Sequence, residues 1–444
     1  MRPPPARSIR FCSKRRSLAA SKRRSLAAST RRSLAASTVE GMAAEVVGAC
    51  TGGAVITGWA LHLGCDARVV GILGALPFLA QLGQIPGAWL TARWGPRRAA
   101  LLTIAVARQA FLAVAALPFL PISPHARQLV LVGAAAAHHG LGILCNNAWN
   151  AWMGELVPEP LRGRYFGRRT AITTTAATAA ALASGLALDA ARGAGWVGAA
   201  LVALALVACA SGAVSVALMA RQTGGARPAA PPRFDPAAFL RPLGDRPARR
   251  LLAYLFAWNA ACGLTAPFFG IYLLQGLELG FGVLAAQAAA LSAARVATAS
   301  AWGRAVDRHG ARRVLLVCTA GLVLSPAAWI ACGPARLWPL ALETAVGGVL
   351  LAGHAVASFS LPLALAPARE RSYWCATFFM TGGVAFAASS AVGGAVAAAL
   401  PRGFTAAGHA FAPLHAPFLA SCALRGGAAV TALFVLDGAR ACRS

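Results

Sequence analysis

The sequence predicts an all-α integral membrane protein with twelve transmembrane helices in two six-helix halves. Three observations lead there. The chain is 58% hydrophobic and 12% charged, with a mean hydropathy of +0.63. Its apolar runs have the length a helix needs to cross a bilayer core, about 20 residues. Short arginine clusters punctuate those runs, and the clusters of the first half return in the second.

Charged residues at about half the usual soluble share leave too little polar surface for a soluble domain. The net charge of +28 would suit a nucleic-acid partner, but its arginines fall between greasy runs. A nucleic-acid binder gathers them on one soluble face, so no nucleic acid is expected. The eleven cysteines form no C-x-x-C pair and lie mostly inside apolar runs. They read as small buried hydrophobes. His138 and His139 are adjacent, so a helix turns them about 100° apart and they do not readily share a metal. Neither metal nor cofactor is expected.

Residues 1–42 read as a disordered basic tail. An octad (SKRRSLAA, SKRRSLAA, STRRSLAA) repeats from Ser13 to Ala36, and no acidic residue precedes Glu40. So short and cationic a repeat has no apolar face to bury. Its Arg and Ser content also resembles an organelle transit peptide, and it would favour anionic membrane lipid. A start at Met42 would leave the apolar chain intact.

The spans follow in order near 43–64, 69–91, 99–120, 128–152, 170–189 and 194–218, then 251–274, 280–302, 312–332, 338–366, 373–400 and 417–438. Between the sixth and seventh lies a linker, 220–250, rich in Pro, Gly and Arg. It separates a first half, 43–219, from a second, 251–438, and residues 439–444 form a terminal tail. With both termini on one side, that side carries 33 Lys and Arg and the other side 5. The positive-inside rule makes the richer side cytoplasmic. In a bacterium this would be the inner membrane.

The internal repeat fixes the halves. AWLTARWGPRR (88–98) follows the second span and GRAVDRHGARR (303–313) the eighth, matching Arg93, Gly95, Arg97 and Arg98 to Arg308, Gly310, Arg312 and Arg313. LVPEPLRGRYFGRR (156–169) and LAPARERSYW (365–374) form a second pair, aligning Arg162 with Arg371 beside Gly163. Two motifs at nearly one offset on one side imply a parallel duplication.

These motifs resemble the Major Facilitator Superfamily over residues 43–438. Its loop signature, G-x-x-x-D-R-x-G-x-R-R, is complete as Gly303, Asp307, Arg308, Gly310, Arg312 and Arg313; the first half has Ala88 and Ala92 where Gly and Asp stand in the family. NAWNAWMGELVPEPLRGRYFGRR resembles a group of poorly characterised bacterial members. In the loop, Gly303 would allow close backbone approach and Gly310 a tight turn. The resemblance implies that Asp307 latches onto the start of the fifth helix, near Thr170, and closes the cytoplasmic side. The alternative is that the loop only anchors topology.

The resemblance also implies that helices 1, 4, 7 and 10 line a central cavity and that 3, 6, 9 and 12 lie outside. Ionisable residues inside spans are costly and so are functional candidates. Helix 4 offers His138, His139, Asn146 and Asn150; helix 7 offers Trp258 and Asn259 before a break at Pro267. Helix 10 offers His354 as a cavity residue and Glu343 as the carboxylate for proton coupling, although Glu343 also suits an interfacial position. Arg295 on helix 8 is the candidate cation for an anionic solute, or snorkels to the interface. Arg108 is assigned to the outer helix 3, bonding the helix 4 asparagines, and Arg425 to the outer helix 12.

The function that follows is secondary transport of a small solute, with proton coupling through Glu343, by a monomer that is not an enzyme. A mostly apolar cavity favours lipophilic or neutral solutes. No phosphate loop or nucleophile set supports ATP-driven transport or catalysis. A non-transporting sensor or scaffold on the same fold is the alternative.

Overall fold

A computed structural model describes residues 6–157, 162–224, 236–333, 336–367, 370–401, 404–406 and 409–435. The middle of the expected linker (225–235) and the terminal tail (439–444) lie outside the described residues.

Among the described residues, eleven helices are long and apolar enough to cross a membrane: Ser29–His62, Ala67–Trp94, Pro96–Ala115, Pro124–Gly154, Tyr165–Gly193, Val197–Ala220, Arg246–Gly276, Phe281–His309, Ala311–Ile330, Trp338–Leu365 and Tyr373–Ala399. A shorter helix, His415–Ala432, completes the twelve. They are called spans 1 to 12 below. Two short strands, Phe404–Ala406 and His409–Phe411, pair antiparallel before span 12.

Local chemistry sets the helix starts. Asp66, Ser123 and Asp245 each accept a backbone N–H three residues on (Val69, Ala126 and Ala248), and Pro follows in the first turn of two of these helices. A side-chain oxygen there satisfies an otherwise orphaned donor. Span 7 breaks after Gly263, runs as a 3-10 turn through Pro267 and ends in a π-helix, Tyr272–Gly276. Span 9 breaks at Leu322–Leu324 before Ser325–Ile330.

The duplication is visible in the backbone. Gly95 and Gly310 have nearly the same angles, φ 82° and ψ 148° against φ 85° and ψ 149°. Only glycine adopts that region without strain. In both halves the arginine two residues after this glycine reaches the end of the sixth helix of its own half: Arg97 Nη2 donates to the Ala220 carbonyl at 2.7 Å, and Arg312 Nη2 to that of Leu433 at 2.6 Å. A guanidinium suits the unsatisfied carbonyls at a helix C-terminus.

The segment expected to be disordered is helical from Ala6, continuous with span 1 to Thr51. Ala, Leu, Arg and Lys are strong helix formers. Ser29, Ser33 and Ser37 recur every fourth residue and so share one face. Ser33 Oγ accepts the Thr223 N–H at 3.0 Å, Tyr165 donates to the Leu34 carbonyl at 3.3 Å, and Glu40 is 3% exposed. From Ser29 onward, then, the octads pack as part of the first half.

The linker is also partly anchored. Pro236–Phe239 and Arg241–Gly244 form short helices. Thr377 of span 11 donates to the Phe239 carbonyl at 2.8 Å, and Arg241 pairs with Glu370.

The two halves meet at the end remote from the arginine loops. Span 2 lies on span 11 with glycines at the closest approaches. A Cβ on Gly71 would stand 2.6 Å from the Ser390 carbonyl oxygen, and one on Gly394 would stand 2.4 Å from that of Ala67. Ser390 Oγ donates to the Gly71 carbonyl at 2.6 Å, and Phe78 stacks on Phe386 at 3.5 Å. Spans 5 and 8 form the matching contact. One apolar cluster there draws on both halves, including Trp59, Leu188, Phe268, Phe281 and Phe418.

Candidate functional site

A cavity of about 760 Å³ lies between the halves. Spans 1, 2 and 4 form its first-half wall and spans 7, 8, 9, 10 and 12 its second-half wall. Most of the lining is apolar; the ionisable groups on it are His139, Arg295, Glu343 and Arg425, with Thr51, Thr57, Gln287 and Ser325 as neutral polar groups.

Glu343 and Arg425 owe their positions to the break in span 9. The Leu322 carbonyl would ordinarily accept the N–H four residues on, but that residue is Pro326, which has none. Arg425 adds a donor beside the Ser325 N–H, which reaches the same carbonyl at 3.3 Å: its Nη1 bonds the Leu322 carbonyl at 3.0 Å. The guanidinium lies 5.4 Å from the centre of the Trp258 ring, a cation–π distance. Arg425 is 6% exposed and its Nε has no partner. Just after the break, Ser325 Oγ donates to Glu343 Oε1 at 2.7 Å, while Glu343 Oε2 is buried without a partner.

Of the sequence candidates, the cavity takes in His139, Arg295 and Glu343. His138 turns to span 3, its Nδ1 at 3.1 Å from the Ala107 carbonyl. Asn146 lines a separate cavity of about 210 Å³ inside the first half, and Asn150 is exposed. Asn259 donates back to the Leu255 carbonyl of its own helix at 2.8 Å. His354 lies eleven residues after Glu343, yet span 7 covers it. Its Nε2 is 2.7 Å from the Tyr254 hydroxyl, which is 2.7 Å from Thr319 Oγ1, and its ring stacks on Trp258 at 4.4 Å. Trp258 and His354 therefore belong to the core of the second half, one layer behind the cavity wall.

The assignment of spans 9 and 12 to the outside is corrected, because the broken helix and Arg425 bring both onto the cavity wall. The small first-half cavity holds the other buried charges. Glu40 accepts from Ser215 Oγ at 2.9 Å and lies 3.5 Å from Arg169, which sits 4.5 Å over the Trp149 ring. Arg108 lines the same cavity and donates to the Ala44 carbonyl at 3.4 Å, not to the helix 4 asparagines.

In the signature loop Asp307, Arg308 and Arg313 are exposed, and Asp307 has no ion pair among the described residues. A Cβ added at Gly303 would meet nothing within 4 Å, so the close approach expected there is absent. Arg93 lies 5.2 Å over the Trp89 ring. Arg162, Gly163 and Arg371 stand at the starts of their helices; their side chains lie outside the described residues.

A polar contact between the halves comes from a residue that sequence reasoning missed. Asp189, near the far end of span 5, accepts the Phe281 N–H at 2.6 Å and the Gly282 N–H at 2.7 Å. A carboxylate of one half thereby caps the first turn of span 8 in the other.

Two six-helix halves closed around a central cavity at one end define a secondary transporter, in which access alternates between the two sides of the membrane. A family model described as Major Facilitator Superfamily matches residues 41–296, and the chain belongs to that family. Solved structures share the fold. A mutant form of the nucleoside transporter NupG is 13% identical with a TM-score of 0.71, covering 91% of this chain and 100% of its own. A bacterial homologue of the iron transporter ferroportin, in an inward-facing state, is 14% identical with a TM-score of 0.68, covering 91% and 98%. A D-xylose-proton symporter is 13% identical with a TM-score of 0.67, covering 92% and 99%. A comparison with curated proteins finds no match. The protein is a multi-pass membrane transporter of a small solute; family and fold point to a transporter rather than an enzyme.

Proposed function

We propose that the protein couples solute movement to protons through Glu343, with its arginine-rich end and both termini in the cytoplasm. One observation carries this: a carboxylate oxygen of Glu343 is buried on the cavity wall without a partner, while its other oxygen is held by Ser325 on a broken helix. An ionised carboxylate is costly there and a protonated one is not, so solute and proton can bind as a linked pair. Coupling of this kind is named for the D-xylose-proton symporter of the same fold.

The excess of Lys and Arg supports the cytoplasmic assignment by the positive-inside rule. Contact between the halves at the other end then makes this an inward-facing arrangement, as in the ferroportin homologue. A bacterial inner membrane suits this topology, and a monomer suffices because one chain supplies both cavity walls. The wall residues His139 and Arg295 contact the solute; Asp307, freed here, latches the cytoplasmic end in the opposite state.

The test uses proteoliposomes and a pH-sensitive dye with a solute that stabilises the purified protein. Solute addition is expected to move protons, and Glu343→Gln is expected to abolish gradient-driven accumulation while leaving solute exchange. Uphill accumulation by Glu343→Gln at the wild-type level overturns the assignment.

A further inference from the structure

We infer that the solute is an organic anion whose carboxylate is held by Arg425 and Arg295, resting on the reading of this cavity as the transport site. The two guanidiniums line one cavity from spans 12 and 8. Among the described residues neither has a carboxylate within ion-pairing distance. Arg425 is 6% exposed; one of its nitrogens is spent on the Leu322 carbonyl and its Nε is unpartnered.

The charge balance decides the class. Among the described residues, Glu343 is the only acidic one on the lining, against two arginines. The lining is therefore positive whether Glu343 is ionised or protonated. A transporter must enclose its solute away from water midway through the cycle, and an uncompensated buried charge is strongly disfavoured there. A cation makes the imbalance worse and a neutral solute leaves it. A carboxylate removes it, and its planar pair of oxygens matches a guanidinium fork. The rest of the wall, with Phe78, Phe269 and Trp329, suits an apolar, ring-bearing body. The expectation of lipophilic or neutral solutes from the sequence is thereby replaced. Reading span 12 as an outer helix leaves only Arg295 as a cavity cation; the structure adds Arg425.

The experiment measures binding to full-length protein in detergent, by thermal stabilisation and calorimetry, with benzoate, phthalate, benzamide and benzylamine as probes. At least one carboxylate is expected to bind tenfold or more tightly than benzamide, and benzylamine not at all. Arg295→Gln and Arg425→Gln are each expected to weaken carboxylate binding tenfold or more. Arg425 is buried, so if Arg425→Gln does not fold, the substitution of the exposed Arg295, Arg295→Gln, decides alone. Failure of both carboxylates to bind, equal binding of benzamide or benzylamine, or unchanged binding in Arg295→Gln overturns the inference. No membrane or gradient is present, so failure of proton coupling leaves these results untouched.

Discussion

The Asp189 carboxylate of the first half accepts the Phe281 N–H of the second at 2.6 Å, and its other oxygen takes Gly282. One side chain thus ties the halves together at the end away from the arginine loops. Asp189→Asn keeps the shape, but it removes the charge and turns an amide NH₂ toward a backbone donor. A lost cap of this kind costs about 1 kcal/mol, enough to shift a two-state balance about fivefold. Faster labelling of a cysteine placed at Leu73 on the cavity wall, from the arginine-poor side, checks this. Unchanged labelling would refute it.

Asp307→Asn should act in the opposite direction. Asp307 is exposed and unpaired in this arrangement, so its loss leaves the present state unharmed. It is expected to weaken the alternative state in which the arginine-rich end is closed, and the same cysteine is then labelled more slowly. The two substitutions together should come back toward the wild-type rate.

Arg97→Ala and Arg312→Ala each remove a donor to the last turn of a sixth helix. Each is expected to destabilise its half by about 0.5–1.5 kcal/mol, the scale of an ordinary hydrogen bond, because both contacts are exposed to solvent. The measurement is the thermal midpoint in detergent, with equal losses from the two sites.

Removing residues 1–28 should leave stability near wild type, whereas removing 1–41 should not. The second deletion takes Ser33, Ser37 and the buried Glu40, leaving Ser215 and Arg169 without their acceptor. Stranding a buried charge costs about 3–5 kcal/mol. Folded yield on size exclusion distinguishes the two, and equal yields would show that this segment does not contribute.

Cys65, in the turn between spans 1 and 2, has its thiol pushed up to about 11, first by burial and then by the neighbouring Asp66. The thiolate is the nucleophile, so alkylation at pH 8 should be about a hundredfold slower than for a thiol of ordinary pKa. The rate should keep climbing with pH toward 11; a plateau near 9 would contradict this environment.

Much of the fold is legible in the sequence because a bilayer imposes simple rules on length and charge. The spans, the duplication around Gly95 and Gly310, and the carboxylate Glu343 all follow from them. The placing of Arg425 does not, because ranking helices as inner or outer assumes unbroken rods. The one available signal was Pro326, four residues after Leu322, which removes that carbonyl's usual helical donor. Glu40 was obscured by the cationic octads before it. Asp189 was missed because its partners are backbone groups, which no residue pattern advertises.

The paired clamps made by Arg97 and Arg312 carry a mechanical consequence. Each fastens the loop after its half's second helix to the tail of its sixth, so each bundle is a hooped barrel whose staves do not slide. Deformation during turnover is then confined to the seam between the barrels, where glycine faces roll on one another. Energy released by the bound cargo is spent on swapping which rim of that seam is shut.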